Sequence, residues 1–254
     1  MSATDTFRSV RDVAPAVSGA TLDLFDLGRR ASAARDARWG RRATFVRSRQ
    51  LLGTGAWRGP RDATESYVEH ADLTALANDA TAGWKVAAAA GVGLLVGAGA
   101  LDTHAAVHAS GARSLWRLTF RGGEPLAERQ RRIDDLRALV RGGLDLWGVM
   151  PTPDGEAEGI DTLHLTAVLR LEVPEIPHVA LDVAALGPRL AQMALGFGAD
   201  ELWAPIVSER ALRLGGNANN PAMTRKEAGV LIRGAGLTAF ERTGPDEFQE
   251  EQTP

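Results

Sequence analysis

The stretch from Val179 to Ile206 constrains the fold of this chain more than any other. Val179–Val183 is apolar and short enough for a buried strand. Gly187-Pro188 breaks that run, and Pro188 suits the first turn of a helix. Leu190, Met193, Ala194 and Phe197 then recur at helical spacing, which gives the helix one apolar face. Gly198 stands at the C′ position that ends it, and Glu201–Val207 reads as a second strand. Strand, helix and strand in so short a span predict a parallel pair joined by a right-handed crossover. A single unit of this kind leaves sheet faces uncovered, so the remaining sequence must supply neighbours.

It supplies several. Residues 1–20 are small and polar and read as a flexible lead-in. Thr21 is placed to cap a helix that begins at Leu22. Ala43–Arg49 alternates apolar and polar side chains, as a strand does. The glycine-rich loop Leu51–Pro60 follows, and it lacks the G-x-x-x-x-G-K-[ST] pattern of a phosphate cradle. Residues 62–85 read as helical, Val92–Gly99 as a buried strand, and Arg113–Phe120 as another. A helix over Leu126–Val140 puts Ile133, Leu136, Leu139 and Val140 on one side. Leu144–Met150 is a strand and Ile160–Leu171 a helix. Thr224 with Glu227 forms a capping box for a last helix through Ile232. Residues 242–254 form an acidic tail expected to be disordered. About six strands alternating with helices predict an α/β domain over residues 21–241, with a parallel sheet, open or closed.

Composition narrows the chemistry. The 254 residues contain no cysteine, which excludes disulfides, thiolate zinc sites, cysteine nucleophiles and cysteine-held iron–sulfur clusters within this chain. A net charge of -3 gives no reason to expect nucleic acid or an anionic membrane as partner. The longest apolar run, Val86–Leu101, is too short and too rich in Gly and Ala to span a bilayer. The start carries no basic-then-apolar signal, so a cytoplasmic protein is expected. His104 and His108 stand at i and i+4, but without the Glu of H-E-x-x-H, and no metal is expected there.

The residues from Gly187 to Glu241 resemble the C-terminal part of the menaquinone-pathway radical S-adenosylmethionine (SAM) enzymes aminofutalosine synthase and dehypoxanthine futalosine cyclase, and of the related FO synthase of deazaflavin biosynthesis. The similar text is Leu186-Gly-Pro-Arg-Leu-Ala-Gln-Met-Ala-Leu-Gly-Phe-Gly-Ala-Asp-Glu-Leu and Met223-Thr-Arg-Lys-Glu-Ala-Gly-Val-Leu-Ile-Arg-Gly-Ala-Gly. Phe120-Arg-Gly-Gly-Glu-Pro, Val96-Gly-Ala-Gly-Ala and Thr44-Phe-Val-Arg-Ser-Arg extend it more weakly towards the N-terminus. The resemblance implies a partial, shortened TIM-like βα barrel with about six parallel strands. It also implies that Glu124 matches a position that helps hold the methionyl part of SAM.

The chain departs from that family at its reactive centre. Where the family carries Cys-x-x-x-Cys-x-x-Cys, this chain reads Gly53-Thr-Gly-Ala-Trp-Arg-Gly-Pro-Arg-Asp-Ala-Thr, so reductive cleavage of SAM is not open to it alone. A barrel that has lost units is expected to expose a sheet edge and an apolar face. The expectation is therefore an accessory protein without a cofactor of its own, with SAM or a nucleoside as the conceivable bound ligand. Its expected assembly is a homodimer or a heteromer with a cysteine-containing radical SAM paralogue. The alternative is an enzyme or binding protein repurposed for a nucleoside or naphthoate-like compound. In barrels the reactive groups gather at the C-terminal ends of strands, which makes Arg49, Asp102, His104, Arg121, Glu124, Thr152 and Asp154 the candidate ligand-binding residues. No triad or carboxylate pair among them is marked by spacing.

Overall fold

The computed structural model describes residues 23–51, 57–58, 68–72, 85, 94–97, 101–155, 157, 159–206, 222–243 and 248–250. In chain order these form α1 (Leu24–Trp39), β1 (Arg42–Leu51), β2 (Trp57–Arg58), β3 (Val68–Asp72), β4 (Leu94–Gly97), α2 (Leu101–Ala109), β5 (Arg113–Arg121), α3 (Leu126–Arg141) and β6 (Leu146–Asp154). They continue as α4 (Gly159–Glu172), β7 (His178–Asp182), α5 (Val183–Leu186), α6 (Pro188–Leu195), β8 (Glu201–Ala204), α7 (Arg225–Gly234), β9 (Thr238–Arg242) and β10 (Phe248–Glu250).

Local chemistry sets many of the boundaries. Pro188 opens α6 in its first turn, where the missing N–H costs nothing. The Thr224 hydroxyl accepts from Glu227 N at 3.2 Å, and the Glu227 carboxylate accepts from Thr224 N at 2.7 Å, which completes the expected capping box of α7. Asp23 caps α1 by accepting from Phe25 N at 3.0 Å; the expected cap, Thr21, lies outside the described residues. Gly198 turns the chain from α6 towards β8 at φ +94°, and a Cβ there would sit 2.9 Å from Ala31 of α1. Only glycine meets both demands.

Seven strands pair in parallel in the order β1–β3–β4–β5–β6–β7–β8. The longest ladder joins β5 to β6, from Ser114–Leu146 to Arg121–Asp154, with a bulge after Ser114. The sheet curls into the partial TIM-like barrel that the sequence led us to expect, with seven strands in the curl against about six. The additional strand is β3, in a segment expected to be helical. Its pairing with both β1 and β4 overrides a weak helical preference.

The curl also returns on itself: Thr44–Arg47 of β1 pair with Glu201–Ala204 of β8. The unpaired edge expected of a shortened barrel is therefore not found between these two strands. β9 adds in parallel to β1 over Arg42–Val46. Thr44–Val46 have β8 as partner too, so β9 occupies the opposite edge of β1. Within the acidic tail, β10 pairs antiparallel with β9.

Alternation along the strands separates two cores. Val46, Leu94, Val96, Leu115, Trp147, Met150, Ala180 and Trp203 fill the inside of the curl. Phe45, Leu118, Phe120, Leu181 and Leu202 face outward onto the helices, where Ile133, Leu136 and Leu165 cover them. Each large side chain so buried contributes about 2–3 kcal/mol.

Candidate functional site

Arg121 and Asp154 end β5 and β6 and are register partners. Arg121 Nε donates to Asp154 Oδ2 at 3.0 Å, and the two side chains are 76% and 50% exposed. Thr152 lies two residues before Asp154, and its hydroxyl donates to Met150 O at 3.2 Å. Glu124 sits in the turn from β5 into α3 and is nearly buried. Arg132 Nη2 donates to both of its oxygens, at 2.6 and 2.5 Å, and Arg129 Nε donates to Oε1 at 3.1 Å. Arg129 is itself buried and also reaches Asp161 Oδ1 at 3.1 Å. Burial alone would raise the Glu124 carboxyl, but the hydrogen bonds from Arg132 and Arg129 outweigh it and hold the group below the ordinary carboxylate range. Glu124 is thus an anion already matched by two guanidinium groups.

The other expected site residues lie apart. His104 of α2 is fully buried and stacks on Trp116 of β5, with ring centroids 4.3 Å apart. Trp116 alternates with Leu115, which faces the inside of the curl, so His104 belongs to the helix side of the sheet. Burial lowers its pKa to about 4, and neither ring nitrogen has a hydrogen-bond partner among the described residues. Arg49 lies in β1 opposite Glu69 of β3, and Asp102 in α2; their side chains fall outside the described residues. The structure therefore gathers Glu124, Arg121 and Asp154 at one mouth, and adds Arg129, Arg132 and Asp161. The i, i+3 spacing of the two arginines on one face of α3 was the available signal for them.

The opposite mouth, at the N-terminal ends of the strands, holds a polar network that no motif announced. Glu201 Oε2 accepts from Thr44 Oγ1 at 2.9 Å and from Arg242 Nε at 2.6 Å. Its Oε1 accepts from Trp147 Nε1 at 3.1 Å and Trp203 Nε1 at 2.7 Å. Asp200 accepts from Val179 N at 2.8 Å, contacts His178 Nδ1 at 2.5 Å, and forms a buried ion pair with Arg170. Burial opposes the charge on both carboxylates. Arg170 and then His178 more than offset this at Asp200, as Arg242 and then His178 do at Glu201, so both lie below the usual range. A pocket of about 70 Å³ opens beside this network, lined by Trp39, Arg42, Thr44, His178, Phe240 and Phe248 among others.

An iron–sulfur cluster does not fit the donor set of this chain. It has no cysteine, and no three His, Asp or Glu residues stand close enough to share a metal ion among the described residues. Most of the loop that replaces the cysteine motif, residues 53–64, lies outside them. At the mouth where the resemblance places the methionyl group, the Glu124 carboxylate already accepts three hydrogen bonds from two arginines.

The chain matches no established family profile. It is 28% identical over 158 residues to aminodeoxyfutalosine synthase of Thermus thermophilus, covering 57% of this chain and 42% of that protein. It is 27% identical over 153 residues to 5-amino-6-(D-ribitylamino)uracil–L-tyrosine 4-hydroxyphenyl transferase 1 of Methanosarcina barkeri, covering 54% of this chain and 41% of the relative. The matched stretches thus span less than half the length of these curated relatives. Among solved structures, methylornithine synthase superposes with a TM-score of 0.62 at 12% identity, over 90% of this chain and 93% of its own. The FeFe-hydrogenase maturase of Carboxydothermus hydrogenoformans superposes with a TM-score of 0.61 at 11% identity, over 91% and 76%. At such identities the likeness is one of fold. No helix of the described residues is long and apolar enough to cross a membrane.

Proposed function

Since this chain is a cysteine-less relative of the radical SAM enzymes that include aminodeoxyfutalosine synthase, we propose that it is a non-catalytic partner subunit in futalosine-pathway menaquinone biosynthesis, acting in the cytoplasm. The observation that carries this reading is the loss of every thiol from a scaffold otherwise kept. Three thiolates hold the cluster that delivers the electron to SAM in that family, and this chain supplies none. The state of Glu124 supports the same reading, because two arginines occupy the carboxylate that would receive the substrate ammonium. What the scaffold retains is its packed sheet, its capped helices and large apolar side chains left in the open. Phe25, Ile160, Met193 and Val230 are all more than half exposed.

A second reading, a binding protein or repurposed enzyme for a nucleoside or naphthoate-like compound, draws on one observation. Arg121 and Asp154 offer an exposed donor and acceptor side by side at the mouth where barrels carry their chemistry. Thermal shift assays separate the two readings. The partner-subunit reading expects no stabilisation of the isolated chain by millimolar SAM, adenosine or futalosine, and clear stabilisation by a purified cysteine-complete radical SAM enzyme encoded in the same genome. Stabilisation by a small molecule and none by the enzyme supports the second reading.

A further inference from the structure

We propose that the pocket at the N-terminal mouth is a binding site for a small carboxylate with a branched apolar body, whose carbons lie among Trp39, Phe240 and Phe248 and whose charge rests on Arg42. The walls are held in place by the fold. Trp39 of α1 stacks on His178 at 4.8 Å, has the Arg38 guanidinium 5.2 Å from its ring centroid, and donates from Nε1 to Pro177 O at 3.1 Å. Phe240 lies in β9, which pairs with β1 from Arg42 to Val46, and the next residue, Glu241, is ion-paired to both Arg47 and Arg225. Phe248 of β10 completes the wall, with the Arg242 guanidinium 4.4 Å from its ring centroid. Walls fixed in this way need little ordering when a ligand enters.

The polar groups at the floor are already engaged. Thr44 Oγ1 donates to Glu201 Oε2 at 2.9 Å. His178 meets Asp200 through Nδ1 at 2.5 Å and Arg242 through Nε2 at 3.1 Å. Asp200 also accepts from Val179 N and pairs with Arg170. A polar group pushed to this depth would displace one of these bonds rather than add one. The buried part of the ligand is therefore apolar. The cavity of about 70 Å³ is a little over twice the ~30 Å³ share of a water in the liquid, which leaves room for about three or four carbons.

The rim sets the sign of the ligand's charge. Asp200 pairs with Arg170 and Glu201 with Arg242, so these four buried charges sum to zero. Arg42 is the charge left over. It is exposed, its Nε donates to Trp39 O at 2.6 Å, and its guanidinium lies 5.8 Å from the Phe240 ring centroid. No carboxylate pairs with it among the described residues. Its Nη groups can hold a carboxylate at the pocket entrance, whereas a cation of the same shape meets repulsion there. This site lies at the mouth opposite Glu124 and owes nothing to the partner-subunit reading.

Titration of the full chain with isovalerate tests the proposal, followed by NMR through the indole N–H resonance of Trp39, which W39F identifies. Isovalerate should move that resonance with a Kd on the order of 1 mM, as so small a ligand allows. Acetate has the charge without the branch, and isopentylamine has the branch with the opposite charge. Each should bind at least about tenfold more weakly than isovalerate. R42A, at an exposed position, should weaken isovalerate by about tenfold or more and leave the amine no weaker than before. The comparison of acid with amine on the unaltered chain does not depend on any variant folding. The proposal is overturned if isovalerate at tens of millimolar leaves the Trp39 resonance in place, if acetate or the amine binds as tightly as isovalerate, or if folded R42A binds isovalerate as the unaltered chain does.

Discussion

The two mouths of the barrel spend charge differently. At the N-terminal mouth, Asp200, Glu201, Arg170 and Arg242 are almost wholly buried and all hydrogen-bonded. Each carboxylate there has several donors fixed by backbone or by packed rings. At the C-terminal mouth, Arg121 and Asp154 stand in solvent, and Glu124 is balanced between two arginines from one helix. The first arrangement punishes any loss, because the partner left behind is a buried charge. At the second, the exposed Arg121–Asp154 pair tolerates loss, because water replaces the missing partner, while Glu124 and Arg129 are buried and fall between. Barrel enzymes place their chemistry at the second kind of mouth and their stability at the first. This chain keeps the stabilising end intact, whereas its reactive end carries an occupied glutamate and no thiol.

The sharpest way to break that contrast is at Glu201. E201A should cost about 3–5 kcal/mol, because it strands Arg242 and two indole N–H groups in a dry site; urea unfolding measures it, and a cost under 1 kcal/mol would erase the distinction. Next is His104, on the helix side of the wall between the mouths. Its folded pKa of about 4 lies below the unfolded value of 6.5, so the unfolded chain takes up the proton first. Stability is then full above pH 6.5 and falls as pH drops towards 4, by on the order of 3 kcal/mol in all. H104F should flatten most of this slope in unfolding curves taken at pH 7.5, 6.5 and 5.5. E124A should cost about 2 kcal/mol, since Arg129 keeps Asp161 and Arg132 can turn to water. R121A should cost at most about 0.5 kcal/mol, the range of an exposed pair. An R121A cost as large as that of E201A would mean that the two mouths are not distinct in kind.

The parts of the fold written in local pattern were legible in the sequence. Pro188, the Thr224–Glu227 capping box and the apolar faces of α3 and α4 marked their elements to within a few residues. β3 was not legible, because Val68–Asp72 becomes a strand through its neighbours rather than its own periodicity. The C-terminal mouth could be read in part. Arg121 and Asp154 end their strands and Glu124 follows one, whereas Arg129 and Arg132 carry only their i, i+3 spacing as a signal. The N-terminal network was invisible. Its members come from α1, α4 and β1 and from β6 to β9, and nothing in a linear sequence says that Thr44, Trp147, His178, Glu201 and Arg242 converge. His104 was misplaced for a related reason: it follows a strand end, but α2 turns it towards Trp116 on the outer side of the sheet.

The central claim is that this chain works as half of a pair. Size-exclusion chromatography with light scattering measures that directly, on the chain mixed at micromolar concentration with a cysteine-complete radical SAM enzyme from the same genome. The account predicts one peak with the summed mass of the two proteins. Two separate peaks, each at its own monomer mass, would contradict it.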